Sequence, residues 1–184
     1  MKYIIDCIAD THGTHRRITF PKPDLEEGDA WVLVHAGDYT RLGDTNETKA
    51  FTDWLRSQPH HRKVFTSGNH ELRHDPEWIR ASVAALTAYR DERAAAGDRI
   101  GVRQATGRIS QLNLIKVEKF LRNAKNVVYL NKSSARYEGL SFYGSPYSPR
   151  YRDWAYQLER SDSKAHWAQI PPDTNIVIPH GPPF

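Results

Sequence analysis

Four short stretches carry side chains whose types and spacing suit metal chemistry. Asp10-Thr11-His12-Gly13 follows the apolar run from Tyr3 to Ala9. Gly37-Asp38 follows Trp31-Val32-Leu33-Val34-His35-Ala36. Gly68-Asn69-His70-Glu71 follows Lys63-Val64-Phe65-Thr66. His180-Gly181 follows Asn175-Ile176-Val177-Ile178-Pro179. Each is a strand-like run ending in carboxylate, imidazole or carboxamide, the donor mixture that hard and borderline divalent cations take. Gly-Asn-His-Glu alone is an ordinary turn composition, since Asn tolerates left-handed backbone and bonds locally. Four such strand ends at one sheet edge, where open α/β sheets place their chemistry, are not explained by packing.

The elements that must position these residues are legible in outline. Residues 2–9 read as a buried strand and 14–28 as a loop. The second strand is 31–36. Asp44-x-x-Glu47 reads as a capping box before an amphipathic helix over 46–57, with Phe51, Trp54 and Leu55 on its inner face. The third strand is 62–66, and the basic run His60-His61-Arg62-Lys63 before it reads as a solvated loop. Asp75-Pro76-Glu77 starts a second helix that Gly97 stops. The glycine- and arginine-bearing stretch 97–110 reads as a flexible basic loop, followed by a helix over 111–123. Short β-runs at 127–130, 134–137 and 140–143 read as a meander, 144–149 as a stiff Gly/Pro loop, and 175–179 as the last strand. Strands alternating with helices, then a meander, predict an α/β layered sandwich in one domain over 1–184.

Composition narrows the function. The 184 residues carry a formal charge of +4 and 39% hydrophobic residues. The mean hydropathy is −0.70 and the pI near 9.2. No apolar run approaches the ~20 residues that span a bilayer, so no membrane role is expected. The N-terminus does not read as a signal peptide, and the single cysteine, Cys7, excludes an internal disulfide; both fit a cytoplasmic protein. Cys7 reads as a small buried hydrophobe. The basic residues are scattered, which suits a small anionic substrate better than a nucleic-acid groove.

Asp-x-His, Gly-Asp, Gly-Asn-His-Glu and a late His-Gly, in that order, resemble the calcineurin-like metallophosphoesterases. Leu33 to Thr40, Tyr143 to Pro149 and Ile178 to Pro183 sharpen the likeness to the metallophosphodiesterase subfamily that includes the mammalian metallophosphoesterase-domain proteins. The resemblance implies an α/β/β/α sandwich with two central mixed sheets flanked by helices. It implies two divalent ions (Mn, Fe, Zn or Co), with Asp10 and His12 on the first, Asn69 and His180 on the second and Asp38 bridging. It implies hydrolysis of small nucleotide-like phosphoesters by a hydroxide bridging the metals, with His70 serving the leaving oxygen rather than a metal and Glu71 orienting its loop. Arg16 is a candidate phosphate contact, Tyr147 a candidate stacking surface, and His35 either a substrate contact or a hydrogen-bonded structural histidine. The family pattern closes with Gly-His-x-His, which this sequence lacks; the expectation is a fold missing its C-terminal part. Three rival readings remain open: a weakly active or non-catalytic nucleotide-binding form, a nuclease, and a phosphoprotein phosphatase.

Overall fold

The structure is a computed structural model and describes residues 1–182. Four strands, β1 (Tyr3–Ile8), β2 (Ala30–His35), β3 (Arg62–Phe65) and β4 (Val127–Tyr129), form a sheet in that order, parallel throughout. A second sheet has the order β5 (Ser133–Tyr137), β6 (Leu140–Ser145), β9 (Ile176–Pro179), with β5 antiparallel and β9 parallel to β6. A two-stranded ribbon joins β7 (Ser148–Pro149) to β8 (Gln157–Leu158). Helices α1 (Thr45–Ser57), α2 (Pro76–Ala95), α3 (Arg99–Gln111) and α4 (Ser163–Trp167) complete the chain. The α/β class with paired central sheets is as expected, and the mixed pairing is confined to the second sheet. None of the described helices is long and apolar enough to cross a membrane.

β2 is buried along its whole length because both its faces are covered. Its alternation divides the core. Val32 and Val34 join Val64, Leu130, Phe142 and Ile178 between the sheets. Leu33 joins Tyr39, Phe51, Trp54, Leu55 and Phe65 beneath α1. Asp44 accepts from the Glu47 backbone N–H while Glu47 reaches back to the cap, so the predicted capping box forms and fixes where α1 begins.

Several expectations need correction. β1 lies at the sheet edge, so it is only partly covered and Cys7 is exposed. His60 and Lys63 are buried rather than solvated; His60 sits against the rings of Phe20 and Trp31 and bonds Asp6 at 2.9 Å. The stretch read as a basic loop is helix α3: the Asp98 side chain caps it at the Gly101 N–H, and the helix tolerates its two internal glycines because it packs along α2. The helix expected over 111–123 is a single 3-10 turn, Val117–Phe120. β4 does not join a meander but completes the first sheet, leaving β5 and β6 as a hairpin turned at Glu138 (φ 47°) and Gly139 (φ 82°).

A buried histidine links α1 to the site end of the sheet. His74 Nε2 meets the Thr48 hydroxyl at 2.9 Å, and its Nδ1 meets the Tyr39 hydroxyl at 3.1 Å. Burial pushes its pKa down from 6.5 to about 3. The neutral ring is the folded form, so its contribution is complete above the unfolded pKa and is lost as pH falls toward the folded one. Between pH 7 and about pH 4.5 the unfolding free energy of the wild type should therefore fall by roughly 2 kcal/mol more than that of His74→Gln. Urea titrations at both pH values check this; parallel losses in the two proteins would contradict it.

Candidate metal centre

The loops after β1, β2 and β3 are knitted together before any side chain meets another. Asp10 N–H donates to the Gly37 carbonyl at 3.0 Å, His12 N–H to that of Asp38 at 2.9 Å and Gly13 N–H to that of Tyr39 at 3.0 Å. Asp10 (φ 54°), His12 (φ 42°) and Asp38 (φ 56°) all adopt left-handed backbone, sparsely populated for non-glycine residues. Such conformations persist only where the surroundings over-determine them, and they gather at functional sites.

Glu71 supplies much of that determination. Its buried carboxylate accepts from the N–H groups of Asp38 (3.0 Å), Thr40 (2.8 Å) and Gly68 (2.6 Å) and from the Thr40 hydroxyl (2.7 Å). Burial, and then the charge of Asp38, push the Glu71 carboxyl up to about 8, while the bonds from Thr40 and Gly68 pull it back.

Onto the Asp38 carboxylate, itself buried, three imidazoles converge. His12 Nε2 and His70 Nε2 each lie 3.9 Å from Asp38 Oδ2, and His180 Nε2 lies 3.4 Å from Oδ1. The opposite nitrogen of each ring is held by a carbonyl: His12 Nδ1 by Thr40 at 3.2 Å, His70 Nδ1 by Arg41 at 2.9 Å, His180 Nδ1 by Ala36 at 2.9 Å. A carbonyl only accepts, so each Nδ1 carries the proton. In the neutral ring Nε2 is then a bare lone pair aimed inward, the arrangement that fixes a metal-ligating histidine. Asn69 Oδ1 lies 2.9 Å from His180 Nε2.

Among the described residues two candidate ligand groups result, His12–Asp38–His70 and Asp10–Asp38–His180, each with its donor atoms within 4.8 Å of one another. Acceptors of this kind crowded together fit divalent cations, which would satisfy them jointly. Asp38 belongs to both groups. Distance sorts the remaining residues differently from the expected division: Asp10 falls beside His180, and His70 stands on an equal footing with His12.

The other candidates lie outside this cluster. His35 is fully buried, so it is not a substrate contact. It bonds the Thr11 hydroxyl at 3.0 Å and receives the Gly37 N–H at 3.3 Å, and burial pushes its pKa down to about 3. It braces two loops from below. Tyr147 is half-buried, with its ring packed edge-on against Tyr156 and tilted against His166 beneath the Lys132 ammonium. Arg16, four residues after His12, is exposed and lines a surface depression with Gly13, Arg41 and Glu47. Sequence reasoning missed Trp154, whose indole stacks on His70 with centroids 4.2 Å apart. A lone tryptophan carries no signal that separates this role from core packing.

With this geometry in hand, comparison with known proteins decides the family. The pattern described as calcineurin-like phosphoesterase matches residues 4–184. The chain belongs to the calcineurin-like phosphoesterase family. Over 179 residues it is 32% identical to metallophosphoesterase domain-containing protein 1 of Homo sapiens, covering 97% of this chain and 48% of that one. It is also 32% identical to UPF0046 protein K07C11.7 of Caenorhabditis elegans, covering 97% of this chain and 50% of that one. The chain thus spans about half the length of these curated relatives. Family membership supports a metal-dependent phosphoester hydrolase in general.

Gly68 tests the site's construction. A Cβ placed there would lie 2.3 Å from Asp38 Oδ1 and 2.6 Å from His180 Cε1. Gly68→Ala should weaken Mn²⁺ binding about tenfold or more, the usual penalty for disturbing a ligand's support. Calorimetric titration checks this, with circular dichroism confirming the fold; unchanged affinity in a folded variant would contradict the geometry.

Proposed function

We propose that this chain is a divalent-metal phosphodiesterase acting on small nucleotide-like esters. The observation that carries the reading is the single buried carboxylate of Asp38, one oxygen facing His12 and His70 and the other facing His180. In this reading Asp38, Asp10, His12, Asn69 and His180 would hold the divalent cations, Asp38 standing in both candidate groups. Bound there, divalent cations would neutralise phosphoryl oxygens and make a water more acidic.

The chain's own residues do the rest. The carbonyls of Ala36, Thr40 and Arg41 lock the imidazole tautomers and orientations. Glu71 holds the backbone of Asp38, Thr40 and Gly68 in register, so the ligands need little reorganisation as charge develops. His70 is half-buried with its proton on Nδ1. When charged, it presents a second proton on Nε2, toward the ligand cluster, for the departing ester oxygen. Among the described residues, no lysine or arginine side chain is hydrogen-bonded to or ion-paired with Asp38. That favours a diester, with one negative charge, over a monoester with two.

Two variants test the division of labour. With Mn²⁺ and bis-p-nitrophenyl phosphate, Asp38→Asn should lose about 100-fold or more in kcat/KM, the scale of removing one preorganised charge-stabilising group. His70→Ala should lower kcat by about 100-fold while the bound Mn²⁺, measured by atomic absorption, stays near the wild-type level. Parallel loss of metal and turnover in His70→Ala would make His70 a ligand. A folded wild type without turnover would favour a nucleotide-binding form instead.

A further inference from the structure

The surface depression that holds Arg16 has a volume of about 380 Å³ and is lined also by Gly13, His15, Arg41, Glu47 and Ala50. It is built from the loops that position two of the imidazoles. Gly13 follows His12 directly, and its N–H donates to the Tyr39 carbonyl at 3.0 Å. The Arg41 carbonyl holds His70 Nδ1 at 2.9 Å. The depression is therefore tied to the His12–Asp38–His70 group rather than to Asp10–Asp38–His180.

His15 is the part of this wall that packing leaves unexplained. It is 2% exposed and lies against the rings of Phe51 (5.4 Å between centroids) and Trp54 (5.1 Å). Among the described residues neither of its ring nitrogens has a hydrogen-bond partner. The other buried histidines, His35, His60, His74 and His166, each bond through at least one nitrogen. Burial, and then the charge of Arg16, push the His15 pKa down; the Ala50 carbonyl pulls it back without completing a hydrogen bond. A neutral imidazole still carries one N–H, and a buried donor without an acceptor is costly.

The charges around His15 call for the same kind of occupant. Arg16 and Arg41 are exposed, and among the described residues neither guanidinium is hydrogen-bonded or ion-paired, whereas Arg136 and Arg150 meet Asp173 and Glu159. Glu47 does not pair with them: its carboxylate oxygens accept the backbone N–H groups of Arg41 and Leu42, each at 3.1 Å. Two free guanidinium forks and an unanswered N–H around one depression suit a dianionic oxyanion.

We propose that the His15–Arg16–Arg41 depression is a second anion subsite of the phosphoester site, taking a phosphate group carried on the departing half of the substrate. The assignment rests on the phosphodiesterase reading, in which His70 serves the departing oxygen; the Arg41 turn, shared by His70 and the depression, puts the subsite on that side. It narrows the substrate class to diesters whose alcohol half is itself phosphorylated. The volume leaves room for part of that half beside its phosphate.

Sulfate stands in for the phosphate dianion in a binding test, since it has the same shape and charge. Titrated at constant ionic strength into the nitrogen-15-labelled, Zn²⁺-loaded protein, it should shift the His15 ring resonances saturably. The Kd should rise about tenfold in each of Arg16→Gln and Arg41→Gln, the scale of one charge-assisted hydrogen bond. No saturable shift at His15, or an unchanged Kd in either variant, overturns the subsite. Turnover by the Mn²⁺-loaded protein is then compared for methyl phenyl phosphate and its para-phosphonomethyl derivative, whose departing phenol carries a dianion. The wild type should prefer the derivative about tenfold in kcat/KM, and Arg16→Gln should prefer it no more than about twofold. Equal kcat/KM in the wild type, or a preference that survives Arg16→Gln, overturns the placement on the departing half. A para-carboxymethyl ester preferred over the phosphonomethyl one overturns the choice of phosphate. A His15 shift without turnover of either ester would sink the phosphodiesterase reading alone, and turnover without the shift would sink the subsite alone.

Discussion

Two carboxylates buried side by side set the terms for the whole active edge. Glu71 and Asp38 share the Asp38 main chain: Glu71 accepts its N–H, and Asp38 Oδ1 in turn accepts the N–H of His70 at 2.9 Å. Packed together away from water, both carboxylates are costly unless each is answered by positive charge or donors. Glu71 is answered by three backbone N–H groups and a hydroxyl. Asp38 has fewer donors and is faced by three imidazole Nε2 atoms instead. That asymmetry separates a structural carboxylate from one arranged for cations. It also explains the close backbone approach at Gly37 and Gly68, where a side chain would collide with His180 or Asp38.

The chemistry of the site was legible because it depends on residue type at strand ends. Asp10, His12, Asp38 and Asn69 stand just after runs that the parallel first sheet sets side by side, whereas His180, expected on the same sheet, arrives from β9 of the second sheet. Their grouping was not legible. Whether Asp10 lies nearer His12 or His180 depends on how the left-handed turns at Asp10, His12 and Asp38 fold back, and sequence spacing does not encode that. His35 shows the same limit. Its position two residues before Gly37 suits either a substrate contact or a brace, and only its complete burial beneath the Thr11 loop decides.

The misread elements share one cause: local pattern was overridden by partners distant in sequence. Gly101 and Gly107 lower helix propensity, yet α3 forms because α2 offers it a surface and Asp98 caps it. Val127 to Tyr129 has the composition of a hairpin strand, yet it pairs with β3 and closes the first sheet. Cys7 alternates like a core residue, yet the strand order leaves β1 at the edge. Trp154 is the functional counterpart. Its place beside His70 follows from hydrogen bonds joining segment 150–157 to Asn69 and Asp75, contacts more than 75 residues apart in the chain.

The central claim is that one carboxylate, Asp38, is shared by two cations. Electron paramagnetic resonance of the protein titrated with Mn²⁺ addresses it directly, because two Mn²⁺ ions bridged by a common ligand couple magnetically and isolated ions do not. A shared Asp38 predicts a coupled multiline spectrum as the second equivalent binds, absent from Asp38→Asn at the same loading. Only isolated six-line Mn²⁺ signals in the wild type, at any loading, would contradict the account.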